Sequence, residues 1–184
     1  MKRPVIIAFV FCLFLYNVST AQVVGKQFPE LSAETVDDKV VTIPKDVADK
    51  YTLVGLAYSK KAEKDLGTWM VPVYNTFVYK PEKPSMFASF AYDINVYIIP
   101  MFTGVNAAAQ GTVKKKAAAE LDPKLQNNIL FYKGELKTFK KELEFDKKDV
   151  PYFFVIDKNG KIVYATSGIY SEAKMDEIES IVSQ

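Results

Sequence analysis

Histidine is absent from the 184-residue sequence, and cysteine occurs once, at position 12. These absences exclude the usual zinc sites built from His and Cys. They also exclude the nucleophile pairs in which a His activates a Ser or a Cys. The eight glycines are scattered singly, so the sequence has no glycine-rich phosphate-binding loop, and no acidic stretch has the spacing of a calcium-binding loop. We therefore expect no metal and no other cofactor, and any catalysis would depend on carboxylates, Lys, Tyr or Ser.

Cys12 lies within a predicted export signal, residues 1–21. A positive start, a short apolar run and small residues at the end are the features that signal peptidase recognises, and they predict cleavage between Ala21 and Gln22. The apolar run is shorter than the roughly 20 residues of a membrane-spanning helix, which favours cleavage over an uncleaved anchor. The processed chain, residues 22–184, is then periplasmic or secreted, has no thiol and has no stable membrane span.

The charge of the processed chain argues against two classes of partner. Loss of Lys2 and Arg3 with the signal reduces the basic residues from 24 to 22, equal to the 22 acidic residues. Nucleic acids and anionic membranes are bound through an excess of positive charge, so we expect no nucleic-acid partner. With 49% apolar residues, the chain is able to form one packed domain without disulfides.

The order of predicted elements is that of an α/β domain. Nearly continuous apolar runs, typical of strands buried on both faces, alternate with helical patterns, and an Asn-Gly turn implies one antiparallel pair. Alternation of this kind gives a mixed sheet covered on both faces. The predicted strands are 40–43, 51–58, 94–102, 129–132, 152–156 and 161–165, and the predicted helices are 59–77, 105–121 and 171–182, with a helical or irregular stretch at 135–143.

Single residues within these elements have competing interpretations. Ser59 is a good helix N-cap, and Trp69, in the apolar stripe of the same helix, is predicted to be core. Lys60 and Lys61 follow the cap, where cations oppose the helix dipole. They indicate either a solvated surface or an anionic partner. The lysine clusters at 114–116 and 147–148 are predicted to be solvated surface rather than a binding patch.

Two stretches resemble the thioredoxin-like superfamily. Val150–Tyr170, VPYFFVIDKNGKIVYATSGIY, is similar to the C-terminal half of periplasmic thioredoxin-like and peroxiredoxin-like proteins, and Val23–Ile43 is similar to their N-terminal extension. The resemblance implies a thioredoxin-like α/β fold over residues 22–184, with a central mixed β-sheet, helices on both faces and an N-terminal β extension. It also implies a cis peptide bond between Val150 and Pro151.

The redox motif of that superfamily is missing. Redox-active members have Cys-x-x-Cys where the central strand meets the next helix, and here the junction, Ala57–Lys64, is AYSKKAEK. Disulfide exchange needs an attacking and a resolving thiol, so the processed chain is predicted to be redox-inactive.

A second resemblance concerns Leu53–Phe77. This stretch is similar to the mitochondrial ATP-synthase assembly factors of the thioredoxin-like superfamily, with Ser59, Trp69, Pro72 and Tyr74 in similar places. It implies a protein that assists the assembly of a membrane complex without a redox pair.

These observations predict an exported, non-enzymatic module that binds a protein or peptide in the cell envelope, in assembly or chaperoning. Two alternatives remain: a family member that acts only with a redox partner, or an enzyme of non-thiol chemistry in the same cleft. The candidate binding groove lies between the end of the central strand and the proline turn, and its residues are Tyr58, Ser59, Lys60, Lys61, Val150 and Pro151.

Overall fold

The structure is a computed structural model that describes residues 22–79 and 92–183. The predicted export signal, residues 1–21, and its Cys12 lie outside the described residues.

A five-stranded mixed sheet forms the centre of the molecule, in the order β5-β4-β3-β6-β7. The central strand β3 runs parallel to β4 and antiparallel to β6, while β5 and β7 lie at the two edges. Apart from the half-buried Tyr51, every residue of β3 is buried, as is all of β6, which explains why both are continuous apolar runs in the sequence. The strands are β3 (Tyr51–Ala57), β4 (Ile94–Phe102), β5 (Tyr132–Lys133), β6 (Tyr152–Ile156) and β7 (Ile162–Ser167).

An N-terminal hairpin adds a separate two-stranded sheet. Its strands, β1 (Leu31–Glu34) and β2 (Val40–Ile43), are antiparallel, and a bridge between Glu34 and Phe131 attaches the hairpin to the main sheet. The predicted mixed sheet and N-terminal β extension are therefore confirmed.

Helices connect the strands and cover the sheet. Two predicted helices are less regular than expected. The first ends in a π-helical turn, and the second begins with a 3-10 segment whose first residue, Gly104, has a φ of +55°. The helices are α1 (Lys60–Val73) with the π-helical turn Tyr74–Val78, α2 (Gln110–Glu120) after the 3-10 segment Gly104–Ala109, α3 (Pro123–Gln126), α4 (Lys137–Glu142) and α5 (Glu172–Val182), and a short 3-10 helix spans Lys45–Val47.

Each face of the sheet has its own apolar core. On one face α1 and α5 pack on the sheet around Trp69, which is fully buried, as its position in the apolar stripe predicts. Its ring stacks on Phe153 with a centroid distance of 4.0 Å, and its Nε1 donates a hydrogen bond of 3.0 Å to the carbonyl of Gly168. On the other face the hairpin, α4 and the segment that follows α4 cover the sheet.

Lys114 contradicts the prediction of a solvated lysine cluster. It is the buried residue of α2, and its ammonium group pairs with Glu34, at 2.8 Å, and with Asp38. These two carboxylates more than offset the effect of burial, so the pKa of Lys114 is raised. The pattern of three consecutive lysines gave no sign that the first one fastens α2 to the hairpin.

Two glycines provide a matched test of the packing. A Cβ at Gly55, in β3, would lie 2.7 Å from Phe153 Cε1 and 3.0 Å from Ile98 Cδ1. Phe153 is held in its stack and cannot yield, so we expect Gly55→Ala to lower the free energy of unfolding by roughly 1–3 kcal/mol. At Gly67, on the exposed side of α1, the added Cβ meets nothing within 4 Å, and Gly67→Ala should raise the free energy by about 0.5–1 kcal/mol. Urea unfolding followed by circular dichroism measures both, and shifts of the same sign would contradict this packing.

Candidate functional site

The candidate site lies where β3 ends and α1 begins. Ser59 is the N-cap of α1, as predicted: its Oγ accepts a hydrogen bond of 3.1 Å from the backbone N–H of Ala62. The same hydroxyl donates a hydrogen bond of 2.9 Å to Asp149 Oδ1. Because Asp149 directly precedes Val150 and Pro151, this bond brings the two halves of the candidate site side by side. We call the region around this bond the corner.

Tyr58 does not face the solvent. Only 6% of its surface is exposed, and its ring stacks on Phe145 at a centroid distance of 5.5 Å. Phe145 in turn stacks on Tyr152 at 4.6 Å. The ammonium group of Lys140 lies 5.7 Å from the centre of the Tyr58 ring, at cation–π distance. The side chain of Tyr58 is therefore part of the core beneath the corner, and this part of the predicted groove is filled by the protein itself.

Burial also governs the acidity of Tyr58. It raises the pKa of the phenol to about 12, and Tyr152, Asp149 and Asp146 contribute in the same direction. The neutral phenol is thus strongly favoured, so Tyr58 is poorly suited to act as a base or a nucleophile near neutral pH.

The other predicted site residues differ in accessibility. Lys60 and Lys61 are exposed, Ser59 and Val150 are half-buried, and Pro151 is buried. The carbonyl of Pro151 accepts a hydrogen bond of 2.9 Å from the N–H of Gly168, which fixes the turn before β6. A partner approaching the corner would meet chiefly the two lysines, Ser59 and Val150.

The prediction of a cis bond before Pro151 is wrong in this structure. Among the described residues the cis peptide bond lies between Ile43 and Pro44, and the Val150–Pro151 bond is not cis. The trans form is intrinsically favoured even before proline. The resemblance of the surrounding sequence to proteins with a cis proline did not outweigh that preference.

The loop that closes the corner was not predicted from the sequence. Residues 143–149 place Phe145 beneath Tyr58, and three further contacts fasten the loop. Glu144 pairs with Lys26 at 3.0 Å, and Tyr152 Oη accepts the Lys147 N–H at 2.7 Å and donates to the Lys147 carbonyl at 3.1 Å. The only signal in the sequence was an isolated Phe among charged residues, FDKKD, which is typical of a loop anchored by one aromatic side chain.

Neither a cavity nor a group of metal ligands marks the corner in the described part of the chain. A cavity of about 440 Å³ lies beside β7 and α5, lined by Tyr164, Asp176, Glu177, Ser180 and Ile181, and neither Tyr58 nor Ser59 contributes to it. Within residues 22–79 and 92–183, no group of His, Cys, Asp or Glu is arranged to hold a metal ion. In the same ranges, no helix has the length and apolar character needed to cross a bilayer.

Solved structures show which fold the chain has. The chain is similar to a thiol:disulfide interchange protein from Bacteroides sp., with a TM-score of 0.53 and 15% identity over 88% of this chain and 91% of that one. It is similar to the exposed lipoprotein thioredoxin Etrx1 of Streptococcus pneumoniae, with a TM-score of 0.53 and 14% identity over 83% and 99%. A thioredoxin family protein from Chlorobium tepidum has a TM-score of 0.52 and 19% identity over 86% and 96%. The fold is thioredoxin-like, as the sequence resemblance implied.

Within that fold, the sequence identifies the family. The family described as "ATP10 protein" matches residues 22–184, and the chain belongs to it. The resemblance of Leu53–Phe77 to ATP-synthase assembly factors is confirmed by this match. No curated protein matches the chain closely enough to add a relative.

The contribution of the bond between Ser59 and Asp149 is measurable against a second N-cap. Ser59→Ala removes both the cap and the bond to Asp149, and we expect the free energy of unfolding to fall by about 1–2 kcal/mol. Ser171 caps α5 through the N–H of Lys174, so Ser171→Ala removes only a cap and should cost about 0.5–1 kcal/mol. Urea unfolding of both variants, of Asp149→Ala and of the double variant Ser59→Ala/Asp149→Ala measures the free energy contributed by the bond between Ser59 and Asp149. If Asp149→Ala destabilised the Ser59→Ala variant as much as the unaltered chain, the two side chains would not be coupled.

The raised pKa of Tyr58 predicts a loss of stability in alkali. The phenol ionises near pH 10 in the unfolded chain and near 12 in the folded one. Between these values the folded state holds the proton more tightly, so the stability contributed by Tyr58 is full below pH 10 and is lost as the pH rises towards 12. Tyr58→Phe cannot ionise, so its stability should fall less steeply over this range. Tyrosinate absorbance and urea unfolding at each pH provide the measurement, and equal slopes for the two proteins would contradict the assignment.

Proposed function

We propose that residues 22–184 act as a non-enzymatic assembly factor that binds a polypeptide client in the cell envelope. The proposal depends on one observation above all: the ATP10 family match covers the whole of this range, while the same range contains no cysteine. The family makes a subunit of an ATP synthase the first client to test.

The geometry of the corner supports binding rather than catalysis. Ser59 occupies the region where redox-active relatives have their thiols, and its hydroxyl is engaged with both Ala62 and Asp149. Throughout the described residues, every buried polar side-chain atom has a hydrogen-bond partner. Active sites commonly keep buried polar groups poised and incompletely satisfied, and the described residues of the corner include no buried group of this kind.

The accessible rim of the corner is the proposed contact surface. Lys60 and Lys61 project from the start of α1, and Val150 is half-buried beside them. The loop beneath is held by the aromatic stack of Tyr58, Phe145 and Tyr152. A rim on a rigid support binds at a low entropic cost, because little has to be ordered on association.

Photo-crosslinking in the source organism tests the proposal. With p-benzoylphenylalanine in place of Lys61, we expect irradiation to give a covalent adduct with an ATP-synthase subunit, identified by mass spectrometry. The matched control carries the same group in place of Lys158, an exposed lysine in the turn between β6 and β7, and should give no such adduct. Deletion of the gene should lower the amount of assembled ATP synthase.

The alternatives predict different results in companion assays. A non-enzymatic factor leaves insulin reduction unchanged, both alone and with a thiol reductase present. An increase in the rate of an added reductase would favour the redox-partner alternative. Normal ATP-synthase levels after gene deletion, with no adduct at position 61, would overturn the assembly proposal.

A further inference from the structure

From the arrangement of charges at the corner, we infer that it carries a preformed cationic surface that takes an acidic segment of a protein. Four lysines form this lysine surface: Lys60 and Lys61 at the start of α1, and Lys147 and Lys148 in the loop before β6. The inference rests on the proposed function, because it names the chemistry of the client that the same site binds.

A single hydrogen bond brings the two lysine pairs together. Ser59 Oγ lies 2.9 Å from Asp149 Oδ1, Lys60 directly follows Ser59 in the chain, and Lys148 directly precedes Asp149. Lysines from two distant parts of the sequence thus flank one contact. All four side chains are exposed.

The cations of the lysine surface have no close ion pair among the described residues, although Glu63 interacts with Lys60 at longer range. In the described part of the chain, none of the four ammonium groups takes part in a salt bridge. Of the neighbouring carboxylates, Glu144 is paired with Lys26, whereas Asp149 keeps its charge, because the Ser59 hydroxyl that donates to it is neutral. The four lysines outnumber Glu63, Asp146 and Asp149, the other acidic residues beside them, so the surface carries a small net positive charge.

The positions of these lysines also carry a local cost. Lys60 and Lys61 stand in the first turn of α1, where the helix dipole disfavours a cation. An anionic partner over the first turn would remove that cost and would interact favourably with the dipole itself.

The support beneath the lysine surface is rigid. The hydroxyl of Tyr152 holds Lys147 at both its N–H and its carbonyl, at 2.7 and 3.1 Å. Ser59 fixes the start of α1 to the loop. The backbone that presents the lysines is therefore ordered before a partner arrives, which lowers the entropic cost of binding.

The same geometry favours a protein segment over a lipid surface. Asp149 stands between the two lysine pairs, and a uniformly anionic membrane would bring negative charge against it. A polypeptide with spaced acidic side chains places its carboxylates on the lysines and leaves Asp149 facing neutral or hydrogen-bonding groups. Charge complementarity of this kind determines specificity and association rate more than affinity.

Charge reversal on the lysine surface tests the inference in vitro. The probe is a fluorescein-labelled peptide of about twelve residues that alternates Glu and Ser, and binding is followed by fluorescence anisotropy at low and physiological ionic strength. We expect the double variant Lys60→Glu/Lys148→Glu to weaken binding about fivefold or more, because two exposed attractions become repulsions. The control Lys115→Glu/Lys158→Glu makes the same change of net charge at exposed lysines away from the corner, and it should stay within about twofold of the unaltered chain. Lys60→Gln/Lys148→Gln, with a smaller expected loss, replaces the reversal if that variant does not fold.

The outcomes separate this inference from the proposed function. Equal losses in the corner and control variants would overturn the inference, because binding would then follow net charge alone. Stronger binding to phosphatidylglycerol vesicles than to the peptide, abolished by Lys60→Glu/Lys148→Glu, would overturn it in favour of a lipid. In the organism, a client adduct from position 61 that persists in the Lys60→Glu/Lys148→Glu background would overturn the lysine surface and leave the assembly function standing. Absence of the adduct from the otherwise unaltered chain, together with normal ATP-synthase levels after gene deletion, would overturn the assembly function itself.

Discussion

The burial of β3 and β6 on both faces is the constraint on which the rest of the structure depends. Backbone groups of these strands are satisfied within the sheet, but their side chains point alternately into two apolar layers. Each layer must be closed against water. On one side α1 and α5 close it around Trp69. On the other side the hairpin and α4 leave part of the sheet uncovered, and the loop that carries Phe145 covers it. The closed corner is thus a consequence of completing the second core.

The closed corner is consistent with the absence of cysteine from residues 22–184. In a redox-active thioredoxin-like protein the corner must stay accessible to a substrate disulfide, because the attacking sulfur has to reach it. Here Ser59 and Asp149 bridge the corner, and Tyr58 lies beneath an aromatic ring. These contacts hold the corner closed, so that it presents a surface and not an open cleft. In the proposed non-enzymatic role, closing this opening stabilises the domain, and the rim is the part that remains for recognition.

Local sequence signals predicted the parts of the molecule that local physics determines. The apolar runs at 51–58 and 152–156, the Ser59 cap and the burial of Trp69 follow from periodicity and capping, and the structure agrees with them. The parts that failed depend on contacts between distant residues. Phe145 under Tyr58 and Lys114 between Glu34 and Asp38 are set by tertiary packing. In both contacts the partners lie far apart in the sequence, so no short stretch of it contains them together. The proximity of Ser59 to Val150 could be anticipated only through the resemblance to a known fold.

The attachment of α2 has a consequence for how the molecule opens. Lys114 is the buried residue of this helix, so α2 is attached by its ion pairs as well as by the partly buried Ala117, whereas α1 and α5 bury several apolar side chains. Ion pairs weaken as salt screens them, but apolar burial does not. A dehydrating salt therefore strengthens the apolar contacts of α1 while it weakens the ion pairs of α2. Partial unfolding that begins at α2 would then depend more on ionic strength than the unfolding of the central sheet does.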